Sequence, residues 1–264
     1  MTLLTSWRQH RVIHNFRGPR IILGVLWALL LVSALYFDDF VLLVMLSTVA
    51  SVAAMQMSRR WIVHGDAVNQ LLVGAGTAVV AMSSYFGYRV FGVLLLVFVV
   101  ALLVLGPDLK LDVARLNAES LRNNVECAGL GLRCSLFVLV AAVSAIQLGR
   151  IDAMALVFFL AMVSIFDAGD YLIGAGYDKE YAGPVAATVA LLLGALVMGQ
   201  IGPDPFGSSG ARLLGLSYIV LCPAGQLVGS WLVPAPNDDV PALRRLDSWI
   251  IAAPVTLVIA SLAQ

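Results

Sequence analysis

The sequence predicts an all-α fold, a polytopic transmembrane helical bundle of about nine helices. Three observations carry that prediction. Apolar residues make up 61% of the 264-residue chain and charged residues only 12%, whereas a soluble domain carries roughly 25% charged residues. The charges fall almost entirely between nine apolar stretches. Those stretches lack the in/out alternation of a closed β-barrel, the other architecture that satisfies its backbone inside lipid.

A helix crosses the hydrocarbon core with about 20 apolar residues. In chain order the spans fall at 20–37, 40–57, 68–86, 89–105, 127–148, 152–174, 184–201, 212–232 and 247–263. The first two are short and separated only by Asp38 and Asp39. Residues 1–19 are basic and show no small-residue cleavage site after a short apolar core, so the first span reads as a retained helix rather than a signal peptide. The whole chain, 1–264, reads as one integral membrane domain with a basic N-terminal arm at 1–19.

Charge orients it. With an odd number of spans the termini lie on opposite sides. An N-terminus in the cytoplasm gathers Arg8, Arg11, Arg17, Arg20, Arg59, Arg60, Lys110, Arg115, Arg122, Arg133, Lys179, Arg244 and Arg245 on that side, and leaves only Arg89, Arg150 and Arg212 on the other. Cytoplasmic Lys and Arg are what set orientation. The expected location is a bacterial inner membrane, with the C-terminus on the opposite side. The formal net charge is zero, and nothing suggests a nucleic-acid partner. The basic arm either rests on anionic lipid, at about 1 kcal/mol per cation near the surface, or serves only as a topology signal.

Cys127, Cys134 and Cys222 lie in or beside apolar spans without paired spacing. They give neither a disulfide framework nor a zinc site and read as small packing residues. His10, His14 and His64 sit in basic segments and form no ligand cluster. The 106–126 stretch sets Leu109, Leu111, Val113, Leu116 and Leu121 among charges. It is either an amphipathic interfacial helix or an ordinary connector helix. Residues 202–210 are dense in turn formers and read as a linker. Gly74, Gly76, Gly129, Gly131, Gly194 and Ala195 are expected to let helix backbones approach closely.

Ionisable residues inside a membrane segment are the best functional pointer. The sixth span carries Asp167 and Asp170 near its cytoplasmic end. Spaced i, i+3, they share a helix face. Two carboxylates on one face call for a metal, a Lys or Arg partner, or a proton; the plain alternative is a pair that reaches out to water. A second gathering surrounds the 233–246 loop, with Ser230, Asp238, Asp239, Arg244, Arg245, Asp247 and Ser248. Asp247 opens the last span, where an acid suits the positive helix end and can cap it. Both gatherings fall on the same expected face of the membrane.

At 160–264 the residues resemble the phosphatidate cytidylyltransferase (CDP-diacylglycerol synthase) family. Asp167-Ala168-Gly169-Asp170-Tyr171-Leu172-Ile173-Gly174 looks like the family's D-x-x-A-Y-x-x-G segment. Gly225-Gln226-Leu227-Val228-Gly229-Ser230 looks like its G-D-L-x-E-S segment. Arg244-Arg245-Leu246-Asp247-Ser248, followed by Ala252-Ala253-Pro254-Val255, looks like the D-R-x-D-S signature with A-A-P-V beyond it, and this match is the most specific. The resemblance implies a cytidylyltransferase-like bundle that joins CTP to phosphatidic acid, releases pyrophosphate and pairs as a dimer. It implies magnesium held by acids, here Asp167, Asp170 and Asp247. It implies phosphate or substrate contacts from Arg244, Arg245, Ser230 and Asp239, with Asp247 and Asp167 catalytic.

The chain departs from that pattern at several places. The metal-binding Asp of G-D-L is Gln226, and the Glu before Ser230 is Gly229. The Lys-Arg pair after that Ser falls on Val233-Pro234, and the Lys of the later K-D pair on Asp238. The P-G-H-G-G turn is reduced to Pro241-Ala242-Leu243, and the first Asp of D-R-x-D is Arg244. No lysine stands in Ala182–Thr188 after the sixth span. Magnesium wants hard oxygen ligands, usually one or two carboxylates plus phosphate. The leading expectation is therefore a catalytically impaired relative, serving phospholipid or envelope-lipid assembly as a partner or lipid-binding subunit in contact with membrane lipids. The alternatives are an active CTP-dependent cytidylyltransferase or related polyprenol or lipid kinase, and a lipid or small-molecule transporter. Against the transporter, the acids sit at one edge rather than the midplane.

Overall fold

The computed structural model describes residues 39–105, 118–174, 182–235 and 238–264. The first expected span, the basic arm and the Lys179 loop lie outside these residues. Within them the chain is helical, with no strand. The helices are α1 (Asp39–Val63), α2 (Gln70–Ser83), α3 (Tyr88–Leu105), α4 (Ala118–Ile151), α5 (Ala153–Gly174), α6 (Ala182–Ile201), α7 (Gly207–Leu232) and α8 (Trp249–Ala263). Short 3-10 turns occupy Ser84–Phe86 and Leu243–Arg245.

Six of these helices, α1 and α3 to α7, are long and apolar enough to cross a membrane. The other two expected spans are shorter than their apolar runs. The 68–86 run yields a 14-residue α2 plus a 3-10 turn, because the Asn69 side chain caps the helix by accepting the Leu72 N–H at 3.0 Å. The 247–263 run yields a 15-residue α8. That is about 22 Å at 1.5 Å per residue, less than the roughly 30 Å hydrocarbon core.

Three other boundaries differ from expectation. Residues 118–126 are helical, as either reading of the 106–126 stretch expects, but they are continuous with α4 through Ile151, because no Gly or Pro breaks the helix before Cys127. Gly207, Ser208, Ser209 and Gly210 belong to α7 rather than to the linker. The fifth and sixth spans are separated by Asp152 alone, whose Oδ1 accepts from the Met154 and Ala155 N–H groups at 2.7 and 3.0 Å and so starts α5.

Helix α4 is the hub, packing against α1, α2, α3, α5 and α8. The second half of the chain is built by α5 on α6, α6 on α7 and α7 on α8. Apolar burial does not drive helices together when lipid surrounds them, so fit between surfaces does the work. Helix α3 shows the device. It buries only Phe98 and Leu102. Phe98 lies over Gly76 of α2, and Leu102 lies where a Cβ on Gly131 of α4 would be 2.9 Å from it. Gly194 of α6 receives Ile165 in the same manner. Gly129 does not serve this purpose: nothing lies within 4 Å of where its Cβ would be. All three cysteines are buried.

The two ends of the bundle differ in composition. At one end Arg150 donates to the Tyr85 carbonyl at 2.9 Å and lies 5.0 Å from the centre of its ring. Gln147 donates to the Ser84 carbonyl at 2.7 Å, and Gln264 to the Ile151 carbonyl at 3.2 Å. At the other end Arg133 stacks 4.6 Å over the Trp61 ring and donates to the Trp231 carbonyl. Trp61 Nε1 donates to the Leu232 carbonyl at 2.9 Å. Arg60, Arg133 and Arg244, grouped together by the charge count, do share one end.

Candidate functional site

The polar residues meet at the Arg60 end, where α5, α7 and the lead-in to α8 converge. Helix α7 stops at Leu232, and Val233 is extended. The chain turns at once, held by the Asp238 carboxylate, which accepts the Ala235 N–H at 3.0 Å. Buried Val240, Leu243 and Leu246 anchor the return. Between them the 3-10 turn carries Arg244 and Arg245. Asp247 and Ser248 follow, before α8 begins at Trp249.

Helix α1 fixes this return from outside. Arg60 donates to the Asp239 carbonyl at 2.9 and 3.3 Å, and the Gln56 side chain accepts the Ala242 N–H at 3.0 Å. Helix α7 fixes it from within. Gly225 and Gly229 form a bare strip against which Asp247 lies. A Cβ on Gly229 would be 2.7 Å from the Asp247 Cβ, and one on Gly225 would run into the Asp247 carbonyl.

One chain of contacts then links three elements. The Ser230 hydroxyl donates to the Gln226 carbonyl at 3.0 Å. Arg244 Nη1 donates to that same Ser230 oxygen at 3.3 Å and reaches Asp247 Oδ2 at 3.4 Å. The Ser248 N–H donates to Asp247 Oδ1 at 2.8 Å. The Ser248 hydroxyl donates to Asp167 Oδ2 at 3.3 Å. Asp247 is only 5% exposed, Ser230 4% and Ser248 fully buried. Burial pushes the Asp247 carboxyl up from its ordinary 3.8 to about 6, against the pull of Arg244 and of the Ser248 N–H.

The sequence-derived residues divide accordingly. Asp167, Asp247, Arg244 and Ser230 are brought together. Asp170 and Arg245 are near enough for their charges to act on Asp167. Asp239 stands apart: it is exposed, and its part is to offer a backbone carbonyl to Arg60. Asp247 is not the cap of the last helix. Ser248 holds that position without a side-chain capping bond, and Asp247 is turned towards Arg244 instead. Ser248 bridges Asp247 and Asp167, a role that its place in the motif does not signal. The Gln56, Arg60, Trp61 and Arg133 supports lie too far away in sequence to be linked with it, and only their common expected side of the membrane hinted at them. His64 is exposed and contacts its own helix, with Nδ1 2.9 Å from the Arg60 carbonyl.

The donor set does not suit magnesium. That ion needs open carboxylate oxygens and room for several retained waters. Here one Asp247 oxygen faces a guanidinium, the other accepts a backbone N–H, and the glycine strip closes off space beneath it. Among the described residues no group of three or more His, Cys, Asp or Glu is arranged to hold a metal ion. Comparison with protein-family models, curated proteins and solved structures finds no match to this chain.

Proposed function

We propose that this chain is a divergent membrane protein resembling the CDP-diacylglycerol synthases, catalytically impaired, and acting in phospholipid or envelope-lipid assembly as a partner or lipid-binding subunit. One observation carries the reading: both oxygens of Asp247 are engaged by Arg244 and Ser248 inside a buried turn. The motif resemblance supplies the lipid context, and the six membrane-length helices supply the setting. The decisive assay gives purified protein CTP, phosphatidic acid and magnesium. It is expected to yield no CDP-diacylglycerol above a no-protein control. Magnesium-dependent product that disappears in Asp247→Ala would overturn the proposal.

A second reading, an active cytidylyltransferase or related polyprenol or lipid kinase, draws on the Ser248 bridge, which joins Asp167 and Asp247 from separate elements. It expects nucleotide binding that weakens in Asp167→Asn. Binding that ignores this substitution, or no binding at all, removes it.

A further inference from the structure

We infer that the Arg244 guanidinium is the resident cation of the Asp167–Asp247 cluster, so that the fold needs no divalent ion there. The inference deepens the reading of an impaired site and shares with it one premise, that these carboxylates are closed to a metal.

Asp247 is buried, and Ser248 ties it to Asp167, with Asp170 nearby. Carboxylates held together away from water need a counter-charge, because burial of an uncompensated charge is strongly unfavourable. Arg244 delivers that charge locally: it lies three residues before Asp247 in the same turn, with its Nη1 3.4 Å from the carboxylate. No ligand has to arrive for the pair to form.

Ser230 is set to hold the guanidinium. Its proton is directed to the Gln226 carbonyl, which turns a lone pair towards Arg244 Nη1. Arg244 Nη2, by contrast, is buried with no hydrogen-bond partner among the described residues. The charge of Arg244 beside Asp247 accounts for its position, with Nη1 3.4 Å from Oδ2. The glycine strip completes the arrangement. Gly225 and Gly229 let the turn sit so close to α7 that the Asp247 backbone and Cβ fill the space over both glycines.

The test is thermal unfolding of the full chain in detergent micelles. Arg244→Ala is expected to lower Tm by roughly 5–10 °C, as for loss of one partner of a buried pair. Low-millimolar guanidinium chloride should restore much of that loss, while urea, a neutral planar analogue, should restore none. Wild-type Tm should be the same in magnesium and in a chelator. Arg244→Lys, which keeps the charge, should lose less than half as much as the alanine variant. If Arg244→Ala does not fold, the double variant Arg244→Ala/Asp247→Asn is expected to fold, since it removes the stranded acid too. The inference is overturned by a saturable rise of wild-type Tm with magnesium, by equal effects of guanidinium and urea, or by a double variant that fails to fold. The CTP assay reads the parent proposal separately: product that survives Asp247→Ala, together with guanidinium rescue, would reject that proposal and keep this inference, whereas magnesium-dependent product lost in Asp247→Ala would reject both.

Discussion

Gly229 of α7 lies directly against Asp247, so close that a Cβ on the glycine would be 2.7 Å from the Asp247 Cβ. That relationship gives a physical reason for glycine at position 229: the turn bearing Asp247 occupies the space that any side chain there would need.

Substitution along this strip should therefore be costly. Gly225→Ala puts a methyl into the Asp247 backbone carbonyl, which cannot swing away as a side chain can. A loss of about 1–3 kcal/mol is expected, the usual range for overpacking. Gly129→Ala is the control, since its Cβ meets nothing within 4 Å; it should be neutral or stabilising by about 0.5–1 kcal/mol. Thermal unfolding in micelles reads both. Equal Tm for the two variants would contradict the packing described.

Stability should fall with rising pH in a window set by Asp247. Burial raises its carboxyl from 3.8 to about 6, so the folded state holds the proton more tightly than the unfolded chain does. The resulting stabilisation is complete below pH 3.8 and is lost as pH rises through about 6. It amounts to about 3 kcal/mol. The groups facing this carboxyl are Arg244, the Ser248 N–H and the Asp170 charge, with Asp167 beyond Ser248. In Asp247→Asn the Tm profile across that window should flatten. An unchanged slope would assign the titration to another group.

The Arg133–Trp61 stack should behave as a coupled unit. Trp61→Phe removes the donor to the Leu232 carbonyl and should cost about 1 kcal/mol. Arg133→Gln removes the cation over the ring and the bond to the Trp231 carbonyl. A double-mutant cycle is expected to show a coupling of about 0.5–1 kcal/mol. Strict additivity would mean that the stack contributes nothing of its own.

Sidedness can be read by thiol labelling. His64 and Tyr88 are exposed at opposite ends of the bundle, and all three native cysteines are buried. In intact vesicles of known orientation, His64→Cys should react from the cytoplasmic side and Tyr88→Cys only from the other. The reverse pattern would break the charge-based orientation, and labelling of both from one side would break their placement at opposite ends.

The helical runs are legible because lipid tolerates few charges and each run is predominantly apolar. The ends of the runs were less legible. Hydropathy carried the 68–86 span past Ser83, where the backbone tightens into a 3-10 turn. It also stopped short of Ala118, because the charged first turns of α4 look like loop until their continuity with Cys127 is seen. Asp167 and Asp247 were picked out by their chemistry, yet their link through Ser248 was not. It joins positions 81 residues apart and depends on how α5, α7 and the turn before α8 pack, which no local pattern encodes. Arg244 carries no local signal of its partners, and only the fold sets it against Ser230 and Asp247.

Helix α1 contributes no group to the acid cluster, yet Trp61, Arg60 and Gln56 grip the α7–α8 connection at Leu232, Asp239 and Ala242. The backbone that carries Arg244 and Asp247 is therefore clasped from the first half of the chain, so the cluster's place is set by a helix that supplies none of its side chains.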